Sequence, residues 1–404
     1  MLSACNIQAT MLPAPDLKLI AYDLDDPCDQ SLWAGTAAHI VHNLRDAGAE
    51  VVVSGRHAPK LRRLSKTLQY NYFHRIHKQY FHAERDAFQA KLGGLAGSRA
   101  LSRIRDADAC VAFFPASVAY LETFLPIFLI HDASWSQLLE TYPHLSPTRQ
   151  VPRIVRSGAD LERRAYTRKN VYPILTSHWV ADRLTREYNL DPQRISILPF
   201  GANFNEEPER DFVEEQIERR GQGSCRLLFV GRDWERKGGP FAVEVCEILN
   251  ARGLPTELTV VGAPPLHAGP HVHFTGLLRK TVPEQKARLS RLYAESDFFL
   301  MPSLAEAQGI VFNEAAAYGL PALARDVGGV SAVLDPGWSA LFPEDAPATF
   351  YADWIGSAFR DRTHYRQLAH AARADYEARL SGPVYAGRLI EIIRSRLDAP
   401  SGEL

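Results

Sequence analysis

The chain has 404 residues, 46 lysines and arginines against 47 aspartates and glutamates, and an apolar share of 46%. That length exceeds one ordinary hydrophobic core and suits two domains. The net charge of -1 excludes a generic nucleic-acid binder, and the composition is that of an ordinary globular protein. The N-terminus, MLSACNIQATMLPAPDLKLIAYD, has no basic stretch ahead of a long apolar run, so no signal peptide is expected. Cysteines at 5, 28, 110, 225 and 246 are odd in number and form no CxxC pair. This argues against a disulfide framework or zinc site and for a reducing cytosol.

In chain order, the expected strands of the first half are 17–22, 50–55, 109–114, 126–131, 172–177 and 195–200. Those of the second half are 226–231, 257–262, 272–276, 297–303 and 321–326. Each is β-rich and nearly free of charge, as a strand covered on both faces must be. Helical patterns at Thr36–Ala47, Pro240–Arg252, Glu284–Glu295 and Asn313–Tyr318 lie between them. This alternation predicts an α/β chain with two doubly wound parallel sheets. Val111–Ile130 is apolar enough to imitate a membrane span, but it contains Glu122, Pro115 and Pro126. It reads as strand, short helix, strand. Residues 203–224 are polar and acidic and fit a linker or surface helix, and the chain after about Tyr351 reads as helices only.

Residues 54–105 contain twelve lysines and arginines, including Arg56, against Glu84 and Asp86, with aromatics interleaved. Two readings stay open. One is a basic amphipathic surface for an anionic membrane or a phosphate-bearing acceptor. The other is a solvated helix face beside a core stripe.

Three stretches follow successive strands of the second half. Gly231-Arg232-Asp233-Trp234-Glu235-Arg236-Lys237-Gly238-Gly239 leads into a helix. Its glycines admit phosphate to the backbone, the helix start offers free N–H groups, and Arg232 and Lys237 add cations. An ordinary turn with surface charges is the plainer alternative. Glu306 and Glu314 flank Gln308-Gly309-Ile310-Val311, eight positions apart. One carboxylate on the loop and one on the helix can grip the hydroxyls of two sugar rings. A helix cap and a surface charge would produce the same letters. Arg325-Asp326-Val327-Gly328-Gly329 adds a tight turn on the same sheet edge. Ligands bind at that edge of an open parallel sheet.

Together these motifs resemble the retaining glycosyltransferases of family 4, the group 1 glycosyltransferases. Their GT-B fold sets two Rossmann-like domains face to face. The resemblance is good over roughly 170–345 and only outlined before 150. It implies an N-terminal acceptor-binding domain at 1–202, a linker at 203–224, and a nucleotide-sugar-binding domain at 225–375. C-terminal helices at 376–404 would pack back toward the first domain. It assigns Arg232 and Lys237 to the donor diphosphate, Glu314 to the ribose, Glu306 to the transferred sugar, and the backbone of Gln308, Gly309, Ile310 and Val311 to phosphate and sugar. It also implies a UDP-sugar or GDP-mannose donor, no metal or other cofactor, and a glycan, lipid-linked or small-molecule acceptor. Ala307-Gln308-Gly309 departs from the family's usual Gly-Phe-Gly, which would bear on the sugar accepted.

On the first half, Gly35 is the candidate for a loop (Ser31 to Thr36) near the donor phosphate, although a plain loop capped by Thr36 reads equally well. His131 and Asp132 end a strand at the same cleft and are candidates at the reacting centre. A structural histidine is the alternative. Two rivals start from Asp23-Leu24-Asp25-Asp26: a metal-binding DxD, or a haloacid-dehalogenase-type phosphatase with Asp23 as nucleophile. Pro27 stands where the phosphatase pattern wants Thr or Val. A nucleotide-sugar-binding homologue without turnover is the non-enzyme alternative.

Overall fold

The structure, a computed structural model, describes residues 17–30, 32–55, 60–142, 145–265 and 268–398. The expectations about the extreme N-terminus, Ser31 and Arg56 lie outside the described residues.

The first lobe runs β1 (Lys18–Tyr22), α1 (Thr36–Asp46), β2 (Glu50–Ser54), α2 (Lys60–Asn71), α3 (Ala87–Leu101), β3 (Ala109–Ala112), α4 (Pro115–Val118), β4 (Ile127–His131), α5 (Trp135–Thr141), α6 (Pro152–Tyr166), β5 (Val171–Leu175), α7 (His178–Tyr188) and β6 (Ser196–Ile197). A linker helix, α8 (Arg210–Arg219), follows. The second lobe runs β7 (Cys225–Val230), α9 (Gly239–Ala251), β8 (Thr256–Val261), β9 (Val272–Gly276), α10 (Pro283–Glu295), β10 (Phe298–Leu300), α11 (Ile310–Ala317), β11 (Ala322–Arg325), β12 (Ser339–Phe342), α12 (Ala348–Arg360), α13 (Arg362–Asp375) and α14 (Gly382–Leu397).

Both sheets have six strands, ordered β2-β1-β3-β4-β5-β6 and β12-β11-β10-β7-β8-β9, and every pairing is parallel. The central strands IFLIH, VYPIL and FFL are buried at every position, which is why they read as unbroken apolar runs. Strand order reverses between β1 and β3 in one sheet and between β7 and β10 in the other. A parallel sheet opens a crevice at such points, at the carboxyl ends of its strands.

The expected strand, short helix and strand over 111–130 are β3, α4 and β4. Among the described residues no helix is long and apolar enough to cross a membrane. The sequence reading passed over β12, four residues long and preceded by Pro-Gly-Trp. Helix α11 begins at Ile310 rather than Asn313.

The last helix leaves the second lobe. Tyr385, Leu389 and Ile393 of α14 join the core formed by β1, β4 and α1. Gly382 makes that approach possible, because a Cβ there would lie 2.4 Å from the Asn43 amide nitrogen of α1.

Candidate active site

Glu306 sits on the loop after β10 and is buried. Its Oε2 pairs with the Lys237 ammonium and lies 3.8 Å from the Arg236 guanidinium. Ser303 Oγ donates to the same oxygen at 3.4 Å. Arg236 also donates to the Ala305 carbonyl at 2.6 Å, fastening the β7 loop to the β10 loop. Backbone fit brings these loops so close. Gly328, at φ 61°, stands where a Cβ would lie 1.7 Å from the Glu306 carbonyl oxygen. Gly238, at φ 78°, stands where one would lie 2.1 Å from the Pro302 carbonyl oxygen. Only glycine fits such sites. Gly231 lies against the Lys237 stem, its position for a Cβ being 3.0 Å from Lys237 Cγ.

Glu314, on α11, is also buried. One oxygen accepts from the Tyr293 hydroxyl at 3.2 Å, and the other pairs with Lys280 on the loop after β9. Tyr293 is stacked on Tyr318 with ring centres 5.4 Å apart. Both glutamates are therefore fixed, and each has a lysine on it. Arg232 is exposed, and no described contact joins it to this cluster.

Gly309 caps α11 at φ 84° with no side-chain cap, so the amides of Ile310 and Val311 are open to an anion, while Phe312 N donates to the Gly309 carbonyl at 2.9 Å. Val311 packs on its own lobe, whereas Ile310 packs against the core of the first lobe. The Gln308 side chain turns to the lobe junction: its Oε1 accepts from Phe200 N at 2.8 Å, and its amide donates to Phe200 O at 3.4 Å. Asn313 donates to the same oxygen at 2.6 Å.

Across the cleft, Gly35 ends a run of three left-handed residues, with Trp33 at φ 47° and Ala34 at φ 54°. This turn aims the Trp33 side chain at the carboxylate of Asp132, to which it hydrogen-bonds. Burial raises the Asp132 carboxyl to about 6, with the nearby charge of Glu306 adding to the rise. The two carboxylates therefore face each other from opposite lobes.

His131 is buried, and its Nδ1 lies 3.1 Å from the Tyr166 hydroxyl. Burial holds its pKa far below the ordinary imidazole value, with Arg85 adding to the shift. It is a neutral ring. Behind this segment Glu162, fully buried, accepts from the Trp135 amide at 2.8 Å, from Arg85 at 3.0 Å and from the Tyr188 hydroxyl at 3.2 Å. Burial raises the Glu162 carboxyl. Ser134 and Gln137 complete the start of α5 as a reciprocal cap.

Sequence reasoning missed Arg236, Tyr142, Lys280, Tyr293 and Glu162. Tyr142, at the end of α5, crosses the cleft to hydrogen-bond the Ala307 backbone, and its ring lies 5.0 Å from the Arg236 guanidinium. Arg236 stood inside the phosphate-loop stretch and was passed over for Arg232. The others carried no local signal.

The rivals at the start of the chain have their carboxylates engaged elsewhere. Asp23 accepts from Ser117 Oγ and from Leu24 N at 2.6 Å, and Asp25 lies 3.4 Å from the buried Arg62. Among the described residues no three His, Cys, Asp or Glu side chains gather as a metal site would require.

Two parallel-sheet lobes joined across a cleft, with anion-ready loops on the second, form the GT-B fold. Solved structures share the fold. Sucrose-phosphate synthase from Thermosynechococcus elongatus matches with a TM-score of 0.67 at 16% identity, over 96% of this chain and 100% of that one. The α,α-trehalose-phosphate synthase (UDP-forming) from Burkholderia vietnamiensis matches at 0.62 and 14%, over 96% and 98%. Residues 224–356 match the family model described as Glycosyl transferases group 1. Curated relatives include the D-inositol 3-phosphate glycosyltransferases of Nocardia farcinica, 26% identical over 55% of this chain and 54% of that protein, and of Gordonia bronchialis, 29% identical over 48% and 45%. The chain spans about half the length of the curated relatives it matches.

Proposed function

We propose that the chain is a family 4 enzyme that moves a hexose, with retention and without a metal, from a nucleotide diphosphate sugar in the second lobe to an acceptor in the first. The donor is a UDP-sugar or GDP-mannose. The acceptor is a glycan, a lipid-linked glycan or a small molecule. The lobes divide as residues 1–202 and 225–375, and the workplace is the cytoplasm, in keeping with four free cysteines among the described residues.

One observation carries the reading: Glu306 and Glu314 are both buried on the wall formed by the β10 loop and α11, each held by a lysine. Donor binding then exchanges partners. Lys237 turns to the diphosphate and frees Glu306 for sugar hydroxyls, and Lys280 yields Glu314 to the ribose. Arg236 keeps Glu306 oriented meanwhile, and Arg232 reaches the diphosphate from solvent. The amides of Gly309, Ile310 and Val311 meet the phosphate at the start of α11.

The bond from the anomeric carbon to the diphosphate oxygen breaks with oxocarbenium character. The acceptor oxygen forms its bond on the same face, and its proton passes to the departing phosphate oxygen. Cations and helix amides stabilise the charge that develops there. Ionised Asp132, opposite Glu306, stabilises the positive carbon. His131 is neutral and acts as a hydrogen-bonding wall rather than an acid. The relatives' name, D-inositol 3-phosphate glycosyltransferase, supports a small phosphorylated acceptor as the first to try.

The test is a thermal-shift panel of nucleotide sugars, followed by transfer assays in excess chelator. A bound donor raises the melting temperature with its concentration. A donor that binds yet is neither hydrolysed nor transferred would convert the reading to a binding homologue. Phosphate release abolished by Asp23→Asn would instead restore the phosphatase.

A further inference from the structure

Helix α2 and its π-helical extension, Tyr72–Ile76, are amphipathic in the reverse sense. The side that faces the protein is polar. Arg62 donates to the Leu24 carbonyl at 3.4 Å, Ser65 Oγ accepts from Gln89 at 3.0 Å, and Gln69 donates to Ser65 at 2.7 Å. The side that faces solvent is apolar. Leu64, Leu68, Tyr72 and Ile76 recur every fourth residue and are 58%, 59%, 50% and 66% exposed. Residues four apart on a helix share a face, so these side chains form one continuous stripe that no described residue covers. Beside it Leu68, Tyr72, Phe73 and Phe88 wall an open pocket of about 430 Å³ that Arg153 and Asp86, paired at 3.5 Å, also line.

Charge decides what fits this stripe. Arg75, within the extension, and Lys78, just after it, are exposed, and residues 51–83 contain no aspartate or glutamate, the next acids being Glu84 and Asp86. A second copy of the same face would oppose cation to cation, and nucleic acid has no use for aliphatic Leu64, Leu68 and Ile76. An anionic bilayer satisfies both halves: headgroups meet the cations, and the stripe enters the headgroup–acyl boundary.

We infer that α2 and its extension form an interfacial docking helix that seats the first lobe on an anionic membrane surface. The inference stands apart from the transfer chemistry and is tested without it. The full chain is sedimented with vesicles of phosphatidylcholine alone and of phosphatidylcholine containing phosphatidylglycerol. Binding to the anionic vesicles only, weakened by salt, is expected. Leu64→Ser, Leu68→Ser and Ile76→Ser together should weaken it at least about tenfold, and Arg75→Gln or Lys78→Gln about fivefold each, with the melting temperature unchanged. Equal binding to both vesicles, none to the anionic ones, or wild-type binding by the apolar variant would overturn the inference. So would dimerisation through the stripe, or RNA binding with the same dependence on Leu68.

Discussion

In the second lobe, the residues around the cleft are set by backbone fit: loops turn on glycines at positive φ, and carbonyl oxygens sit where a Cβ would stand. In the first lobe the equivalent loop is set by a buried side-chain network, with Glu162 holding the Trp135 amide, Arg85 and Tyr188. Backbone fit fails all at once when a methyl group is added. A polar network fails by degrees, because each partner that is lost leaves another unsatisfied.

The largest effect is expected at the shared focus of both lobes. Glu306→Ala and Lys237→Ala should each lower transfer by about a hundredfold or more, read as kcat/KM for the best donor. Near-normal rates would remove Glu306 from the reacting centre. Next comes a paired glycine test. Gly328→Ala places a Cβ 1.7 Å from a carbonyl oxygen, whereas Gly253, at φ 78°, has nothing within 4 Å. Backbone strain alone should cost Gly253→Ala about 1 kcal/mol, and Gly328→Ala should cost at least about 3 kcal/mol and abolish the melting shift caused by nucleotide. Similar losses from both would show that close backbone contact does not set the loops of the second lobe.

Glu162→Gln keeps the volume and weakens the network. We expect kcat to fall about tenfold with the donor's KM little changed, since the donor's seat lies in the other lobe. A KM effect alone would show that the network does not orient Asp132. The pH profile should show a smaller effect. Because the Asp132 carboxyl titrates at about 6, kcat should rise as pH increases through that value, and Asp132→Asn should flatten the limb. No limb from His131 is expected, as burial keeps it neutral. Stability has the opposite sign. Asp23 is also raised to about 6, chiefly by burial, so the native state binds protons that the unfolded chain releases. As pH rises from about 4 to 6 the fold should therefore lose up to roughly 3 kcal/mol from this residue, a loss absent in Asp23→Asn. The smallest change is expected for Lys280→Met, about fivefold or less in donor affinity, because Lys280 is half exposed and screened by solvent.

Local pattern explains what was legible. Eleven of the twelve strands announce themselves as β-rich runs with little charge, and Lys237 and Glu306 follow strand ends that mark the crevice, with Glu314 on the helix after the second of them. Tyr293 reaches Glu314 from 21 residues away, and Glu162 reaches Trp135 from 27. No spacing rule links such pairs before the sheet order is known. Gln308 shows the same failure. The loop pattern bears on its backbone alone, and the side chain's bonds to Phe200, 108 residues away, have no local signal.

That junction has a mechanical consequence. Phe200 is tied to Gln308 and Asn313, and two residues on, Ala202 N donates to the Leu380 carbonyl at 2.8 Å. A swing of one lobe against the other that keeps these bonds must turn about an axis near residues 200–202. Displacement then grows with distance from that pivot, while the loop bearing Glu306, anchored two residues away at Gln308, keeps its register through the swing.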